Sequence, residues 1–217
     1  MSTRIVFDLD GTLIDSAPDI HGVANTLIAP HGAQITLAQT HSFIGNGVST
    51  FIRRMLAATS LDADLHDGLL PAFKQAYLTA FTKTEIYAGV EAALDALKAE
   101  GCPLGICTNK PLAPTHAVLD HLDLGRYFAT VWGGDSLPVH KPDPAPLHAA
   151  FKALGEGPCI YVGDSEVDAQ TAQEAGIPFL LYTKGYRKTP VDQIPHTAAF
   201  DDFAELPALV TRYAGSP

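Results

Sequence analysis

The chain has 217 residues, of which 47% are hydrophobic, and a formal net charge of −10. This length and hydrophobic content predict one core domain, alone or with an insertion, and exclude a largely disordered chain. The negative charge argues against a nucleic-acid-binding protein, because such proteins carry clustered Lys and Arg that neutralise phosphates. No apolar run approaches the length that a membrane-spanning helix needs, so we expect no membrane contact.

The cysteines and the N-terminal residues predict the cellular location of the protein. The three cysteines, Cys102, Cys107 and Cys159, are odd in number and form no Cys-x-x-Cys pair. We therefore expect free thiols in a reducing compartment rather than a disulfide framework. The residues before Asp8 contain no basic segment followed by an apolar one, so we expect no signal peptide and a cytoplasmic location. For the assembly we expect a monomer or a small homo-oligomer.

The chain begins with a predicted buried strand over residues 4–7 and then changes character. Residues 16–86 contain no convincing strand and show three or four helical patterns instead. In one of these, residues 47–58, the apolar side chains fall on one face of a helix. Another helical pattern covers residues 62–82. An all-helical insertion over residues 16–86 is therefore predicted after the first strand.

From residue 87 onwards, short apolar strands alternate with helical patterns. The strands are continuously apolar, which is typical of parallel strands covered by helices on both faces. The helical patterns over residues 89–101, 144–155 and 165–176 each end in glycine, a common C-terminal stop. The alternation of strand and helix predicts an α/β fold with a doubly wound parallel sheet. The further strands are predicted at residues 103–108, 130–134, 159–163 and 178–183.

Polar side chains follow three of the predicted strands or lie in the loop before residue 144. In an open parallel sheet, ligands bind beyond the carboxyl ends of the strands, so we expect these side chains to converge. The group contains four carboxylates, one hydroxyl and one lysine: Asp8, Asp10, Thr108, Lys141, Asp164 and Asp168.

These residue types predict phosphoryl-transfer chemistry. Converging carboxylates repel one another, and a hard cation such as Mg²⁺ holds them together through oxygen ligands. A carboxylate beside the metal can attack phosphorus and form an aspartyl phosphate, while a hydroxyl and an ammonium hold the phosphoryl oxygens. A second carboxyl group can protonate the leaving alkoxide and then take a proton from the attacking water. To act as that acid, Asp10 must carry a proton near neutral pH.

Four short segments resemble those of a known family. The segments DLDGT, TNK, HKPDP and GDSEVD, in this order, resemble the signature motifs of the haloacid dehalogenase-like superfamily of phosphotransferases. The likeness spans the whole chain. It implies a Rossmann-like core formed by residues 1–15 and 87–217, with residues 16–86 as a helical cap.

The resemblance implies a role for each carboxylate. Asp8 would be the nucleophile and a Mg²⁺ ligand. Asp10 would be the general acid and base, and its main-chain carbonyl would also bind the metal. Asp164 would be a further metal ligand, and Asp168 would support the site through water or through Lys141.

Within the superfamily, the segments FIGNGVSTFIRR, TNKP and HKPDP resemble the phosphoglycolate phosphatases. This resemblance implies that Thr108, Asn109 and Lys141 hold the phosphorylated substrate. The implied substrate is a small anionic phosphomonoester, in particular 2-phosphoglycolate, which would be hydrolysed to glycolate and phosphate.

The resemblance also implies substrate contacts from the cap. The turn formed by Gly45, Asn46 and Gly47 would face the active site, where free N–H groups at a helix N-terminus suit a carboxylate. Arg54 matches the arginine of the family pattern. Periodicity by itself does not choose between Arg54 and Arg53.

Other functions stay open at this point. Sugar phosphomutases of the β-phosphoglucomutase type and pyrophosphatases also keep both aspartates, so the core segments do not exclude them. Haloacid dehalogenases and phosphonoacetaldehyde hydrolases lack the second aspartate, so Asp10 argues against both. A signalling receiver domain, which is a phosphorylated switch and not an enzyme, is disfavoured by the insertion and by the pair Asp8 and Asp10. Taken singly, each motif has an ordinary structural explanation, such as an Asp-Gly turn after a strand.

Overall fold

The computed structural model describes residues 2–214. The strands are, in chain order, β1 (Arg4–Phe7), β2 (Ile14–Asp15), β3 (Glu85–Ile86), β4 (Leu104–Cys107), β5 (Thr130–Trp132), β6 (Cys159–Gly163), β7 (Phe179–Tyr182) and β8 (Ala198–Phe200). The α-helices are α1 (Ala17–Ile28), α2 (Leu37–Phe43), α3 (Gly47–Thr59), α4 (His66–Tyr77), α5 (Val90–Ala99), α6 (Leu112–His121), α7 (Ala145–Ala153), α8 (Glu166–Ala175) and α9 (Leu206–Tyr213). Within this part of the chain, no helix is long and apolar enough to cross a membrane.

Six of the strands form one parallel sheet in the order β5-β4-β1-β6-β7-β8. The prediction of an α/β fold with a parallel sheet is thereby confirmed, and each of the five predicted strands is present. The structure adds β8, which pairs with β7 at the edge of the sheet. Its three residues, Ala-Ala-Phe, make too short an apolar run to be recognised as a strand in the sequence.

Helices cover both faces of this sheet. The side chains of β1 alternate between the two layers: Ile5 and Phe7 pack with α5, α6 and α9, and Val6 packs with α7 and α8. None of these three side chains is exposed. Burial on both faces explains why β1 is apolar at consecutive positions instead of at every second one.

Helices α1 to α4 lie between β2 and β3, and their buried side chains form a hydrophobic cluster of their own. The predicted apolar face of α3 supplies Phe51, Ile52 and Met55 to this cluster. These helices agree with the helical patterns predicted within residues 16–86. The domain limits themselves, at residues 15/16 and 86/87, stay a prediction.

Two local predictions for this segment need correction. The pattern over residues 62–82 predicted one long helix, but α4 covers only its middle part. Before α4, the Asp62 side chain accepts a hydrogen bond from the Asp64 N–H at 2.9 Å and begins a short 3-10 turn. Residues 16–86 were also predicted to lack strands, whereas β3 ends there at Ile86 because Glu85 and Ile86 pair with β2.

The chain leaves and re-enters the sheet at two adjacent crossings. β2 and β3 form an antiparallel pair in which Ile14 lies opposite Ile86. Nearby, Asp19 Oδ2 on α1 accepts hydrogen bonds from the Lys83 N–H and the Thr84 hydroxyl, both at 2.8 Å. These contacts position the helical cluster over the end of β1, where the predicted site residues begin.

Candidate active site

The predicted site residues gather at the carboxyl ends of three neighbouring strands. β1 ends just before Asp8, β4 just before Thr108 and β6 just before Asp164. Since β1 lies between β4 and β6 in a parallel sheet, these three strand ends open onto the same edge. The topology, which is not visible in the sequence, thus brings together residues more than 150 positions apart, such as Thr12 and Asp164.

Asp8 is buried and holds an unused hydrogen-bond acceptor. Its backbone N–H donates to the Val162 carbonyl at 2.8 Å, which fixes the residue at the end of the strand. Lys141 Nζ lies 2.9 Å from Asp8 Oδ1, but the hydrogen bonds of that ammonium go to Tyr161 and Asp168. Asp8 Oδ1 is therefore charge-paired yet accepts no hydrogen bond from the described residues. A buried acceptor left in this way is a position where a cation or a ligand fits.

The surroundings of Asp8 disfavour its charged form. Burial raises the pKa of Asp8 from its ordinary 3.8 to about 7, against the opposing effect of Lys141, and the negative charge of Asp168 adds to the rise. Removal of a carboxylate from water costs free energy unless a positive charge lies close by. The single ammonium of Lys141 does not offset this cost, so the site favours a further cation.

Lys141 lies among three oxygen atoms. Its Nζ is 2.6 Å from Asp168 Oδ1, 2.7 Å from the Tyr161 hydroxyl and 2.9 Å from Asp8 Oδ1. Burial by itself would lower the pKa of Lys141, but the carboxylates of Asp168 and Asp8 outweigh this effect and raise it above its usual range. Lys141 is thus a permanently charged group, held rigidly beside Asp8.

Asp168 has both carboxylate oxygens occupied by protein donors. Oδ1 accepts hydrogen bonds from Lys141 and from the Tyr161 hydroxyl at 2.7 Å. Oδ2 accepts from the Ser165 N–H at 3.1 Å and the Ser165 hydroxyl at 2.6 Å, as part of a capping box at the start of α8. Burial would raise the pKa of Asp168, but these donors, Lys141 foremost, hold it below its usual range. Asp168 therefore positions Lys141 directly, through a 2.6 Å contact.

Asp164 lies close to Asp8, and its carboxylate is oriented by two donors. The Thr12 hydroxyl donates to Oδ1 at 2.9 Å, and the Tyr186 N–H donates to Oδ2 at 2.5 Å. Burial, followed by the negative charges of Asp168 and Asp8, raises the pKa of Asp164 well above its ordinary value. The chain can turn beside this carboxylate because residue 11 is glycine, with φ +90°; a Cβ there would lie 2.6 Å from Asp164 Oδ2.

The three buried acids could hold a metal ion. Asp8, Asp164 and Asp168 each offer a carboxylate oxygen, and these oxygens lie within 4.8 Å of one another. Among them, Asp8 and Asp164 are the better ligands, because Asp8 Oδ1 lacks a donor and each Asp164 oxygen accepts one hydrogen bond, whereas each Asp168 oxygen accepts two. Oxygen ligands and the accumulated negative charge suit a hard divalent cation.

Asp10, two residues after Asp8, lies at the same site. Its Oδ1 accepts hydrogen bonds from the Ser16 hydroxyl at 2.6 Å and from Lys110 Nζ at 3.1 Å. Oδ2 has only a long contact of 3.4 Å with Lys110 Nζ. Oδ2 is therefore the oxygen of Asp10 that is available to hold or accept a proton.

A cavity lies between the sheet edge and the helical insertion. The sheet edge contributes mostly polar side chains, and the insertion contributes apolar ones and a glycine turn. From the core, the cavity is lined by Asp8, Asp10, Thr108, Asn109, Lys110, Pro111, Lys141, Ser165 and Asp168. From the insertion, it is lined by Ile20, Ile44, Gly45, Gly47, Val48, Phe51, Phe73 and Tyr77.

Thr108 and Asn109, at the end of β4, have different tasks. The Thr108 hydroxyl oxygen accepts a hydrogen bond from the Lys110 N–H at 3.2 Å, so its hydrogen can donate into the cavity. The Asn109 amide donates to the carbonyls of Gly45 and Lys141, both at 2.9 Å. Asn109 thus connects the glycine turn of the insertion to the loop that carries Lys141.

The structure separates the predicted cap residues into two groups. Gly45 and Gly47 line the cavity and have positive φ angles of +111° and +80°. Arg54 and Asn46, in contrast, do not line it: Arg54 Nη2 donates to Asn46 Oδ1 at 2.9 Å, and Nη1 donates to the Phe43 carbonyl at 3.0 Å. Helix side chains lean towards the N-terminus, and Arg54 reaches back along α3 to hold the turn. A substrate contact by these two side chains stays a prediction.

Lys110 and Tyr77 are among the cavity residues that were not predicted as site residues. Lys110 is buried beside Asp10, and its ammonium contacts the hydroxyl of Tyr77 from α4. Burial lowers the pKa of Lys110, against the opposing effect of Asp10. Lys110 directly follows Thr108 and Asn109, so its position after a strand was a usable signal. Tyr77 gave no signal, because it belongs to the apolar face of α4.

The chain is similar to known hydrolases in both sequence and structure. A family model described as haloacid dehalogenase-like hydrolase matches residues 5–182. A phosphoglycolate phosphatase of Rhodobacter capsulatus is 45% identical over 219 aligned positions, covering all of both chains. One from a strain of Cereibacter sphaeroides is 48% identical and covers 96% of this chain and 97% of the relative. Among solved structures, a predicted phosphoglycolate phosphatase from Haemophilus somnus has a TM-score of 0.89 at 31% identity, covering 96% of this chain and 98% of the other.

Proposed function

This chain belongs to the haloacid dehalogenase-like hydrolase family, and we propose that it is a Mg²⁺-dependent phosphatase that hydrolyses 2-phosphoglycolate to glycolate and phosphate. One observation carries the proposal for the reaction: Asp8 faces the cavity with a buried oxygen that accepts no hydrogen bond, beside the ammonium of Lys141. The substrate is inferred from relatives that match along almost their whole length.

In the proposed reaction, a carboxylate oxygen of Asp8 attacks phosphorus while the ester P–O bond breaks. The proton on Asp10 Oδ2 passes to the leaving alkoxide. Water then attacks the aspartyl phosphate, Asp10 Oδ2 takes the proton of that water, and the bond between phosphorus and Asp8 breaks to release phosphate. The Thr108 hydroxyl and the Lys141 ammonium hold the phosphoryl oxygens during both steps.

The donor set supports a Mg²⁺ site formed by Asp8 and Asp164. The family resemblance implies the Asp10 main-chain carbonyl as a further ligand. Mg²⁺ bound there would offset the charge of the carboxylates and of the phosphoryl oxygens. The residues of the chain perform the other tasks: Thr12 and Tyr186 orient Asp164, and Asp168 positions Lys141.

A metal-dependent pH profile of stability tests the cation site. In the metal-free protein, the folded state keeps a proton on Asp8 between its ordinary pKa of 3.8 and about 7, where the unfolded chain has already released it. Stability should therefore fall as pH rises through this window, by roughly 2–4 kcal/mol. Asp164 acts in the same direction, whereas the lowered pKa of Asp168 affects stability only below the window.

Mg²⁺ should reverse this loss, because it binds the deprotonated carboxylates. Below the pKa of Asp8, the affinity for Mg²⁺ should fall roughly tenfold for each pH unit, because a proton competes with the metal. We therefore expect the increase in melting temperature on Mg²⁺ addition to be larger near pH 8 than near pH 5. Thermal denaturation with and without Mg²⁺ measures both effects. An equal Mg²⁺ effect at the two pH values would count against the site.

A phosphate-release screen tests the proposed substrate. Purified protein with Mg²⁺ should show its highest kcat/KM on 2-phosphoglycolate in a panel that also holds sugar phosphates, nucleotides and pyrophosphate. A pyrophosphatase would instead prefer pyrophosphate, and a sugar phosphomutase would isomerise a sugar phosphate in the presence of an activating bisphosphate. No phosphate release from 2-phosphoglycolate would refute the proposal.

A further inference from the structure

Two lysines line the cavity, and one of them, Lys141, lies beside Asp8. Lys141 has three oxygen atoms within 2.9 Å of its Nζ, all from the protein. Lys141 donates two of its three N–H groups to Tyr161 and Asp168, and its third lies beside Asp8. The charge of Lys141 is required at Asp8, where the phosphoryl group would be held.

Lys110 has a different set of partners. Its Nζ contacts Asp10 from the core and the Tyr77 hydroxyl from α4, and it lies 4.0 Å from the centre of the Tyr77 ring. Within residues 2–214, these two residues are its only hydrogen-bond acceptors. The two contacts with Asp10 go to the oxygens of one carboxylate and can share one N–H, which leaves one N–H of Lys110 for a ligand at the cavity wall. The Lys110 side chain is only 3% exposed, so an anion that meets it is largely removed from water.

The opposite wall offers no other side-chain charge. The insertion lines the cavity with apolar side chains, in addition to its glycine turn and Tyr77: Ile20, Ile44, Val48, Phe51 and Phe73. A carboxylate enclosed there loses its hydration and needs a cation in exchange. Among the described residues that line the cavity, Lys110 and Lys141 are the cations, and Lys110 is the one whose ammonium does not contact Asp8.

We propose that Lys110 is a specificity-determining residue that binds the carboxylate of the leaving group, while Tyr77 holds the ammonium in position from the insertion. This inference rests on the proposed function, because it assigns the second anionic group of the same substrate. It has a consequence that the phosphoryl-binding residues do not share: Lys110 should distinguish 2-phosphoglycolate from ethyl phosphate, which lacks the carboxylate. Loss of a hydrogen bond to a charged group lowers affinity by roughly 10- to 100-fold.

The experiment compares the ratio of kcat/KM for 2-phosphoglycolate to kcat/KM for ethyl phosphate among variants. In Lys110→Met this ratio should fall by about 10- to 100-fold relative to wild type. Lys110→Arg should restore much of it, because the charge is kept. Lys74→Met is the matched control: it removes an exposed lysine one turn before Tyr77 on α4 and should leave the ratio unchanged. If Lys110→Met does not fold, Lys110→Gln is measured in its place.

A purely structural role of Lys110, through its ion pair with Asp10, predicts a different result. Both substrates would then lose activity in the same proportion, and an unchanged ratio would overturn the inference. Calorimetric binding of 2-phosphoglycolate and ethyl phosphate to Asp8→Asn, with and without Lys110→Met, provides a readout free of turnover. Equal weakening of both ligands there would overturn the inference as well.

Failure of the proposed function is a separate result. If wild type prefers another carboxylate-bearing phosphomonoester to 2-phosphoglycolate, the proposed substrate is wrong, and the ratio for that compound and its neutral counterpart still tests Lys110. If wild type shows no preference for any carboxylate over its neutral counterpart, the role of Lys110 is refuted too.

Discussion

Asp8→Asn is expected to abolish turnover, with a loss of kcat of at least about four orders of magnitude. An amide is a poor nucleophile, and the neighbouring carboxylates of Asp168 and Asp164 are held by protein donors. Asp168 is bound to Lys141, Tyr161 and Ser165, and Asp164 to Thr12 and Tyr186. The measurement is phosphate release from 2-phosphoglycolate, together with acid trapping of a phosphorylated protein. Wild type should yield an adduct on residue 8, and the variant should yield none.

The fold should survive this substitution. Asparagine has the shape of aspartate, and the Asp8 carboxylate is held in surroundings that favour its neutral form. The melting temperature of the metal-free variant should therefore match or exceed that of wild type near neutral pH. Asp67→Asn is a control, because that side chain is 99% exposed on α4 and should retain full activity. Near-normal turnover by Asp8→Asn would rule out the covalent mechanism.

Asp10→Asn is expected to give the second largest effect, about 10²–10⁴-fold in the hydrolysis of 2-phosphoglycolate. Asparagine keeps an oxygen that can accept from Ser16 and Lys110, so the local structure should persist. It cannot give a proton to an alkoxide or take one from water. Both the formation of the aspartyl phosphate and its hydrolysis lose their proton carrier.

The choice of ester separates these two steps. 4-Nitrophenyl phosphate has a leaving group that needs no proton, so it should still phosphorylate Asp8 in Asp10→Asn. Rapid-mixing experiments should then show a burst of nitrophenol followed by slow turnover, and the adduct should accumulate. If the variant gives no burst and loses the same factor on both esters, Asp10 does not act as the acid.

Most of the core site residues could be predicted from the sequence because they lie at or near the ends of strands. Asp8, Thr108 and Asp164 each follow a strand directly, with Asp10 two residues after Asp8, and strand ends are readable from short apolar runs. Parallel pairing then brings adjacent strand ends together, so local sequence and one rule of sheet architecture were enough to expect a common site. Their roles in catalysis stay a prediction that the two variants above will test.

Other contacts cannot be predicted from the local sequence because they join distant segments of the chain. Lys110 lies 100 positions from Asp10 and 33 from Tyr77. Tyr77 has the pattern of a core residue on an amphipathic helix, and only the docking of α4 over the sheet edge turns it towards Lys110. For Arg54, the resemblance implied a substrate contact, which stays a prediction; the structure adds hydrogen bonds to Asn46 and Phe43 that hold its guanidinium on its own turn.

The sequence by itself therefore determined the parallel α/β core, the helical character of the segment between β2 and β3, and the acids that end β1 and β6. These features follow from hydrophobic periodicity and from residue types at strand ends, which are local properties. The tertiary structure decided which oxygen of Asp8 lacks a donor, that Asp168 serves Lys141, and that Lys110 lies against Asp10 and Tyr77 with one donor unused. Those facts depend on distances between side chains from different elements, and these distances are established only when the elements pack.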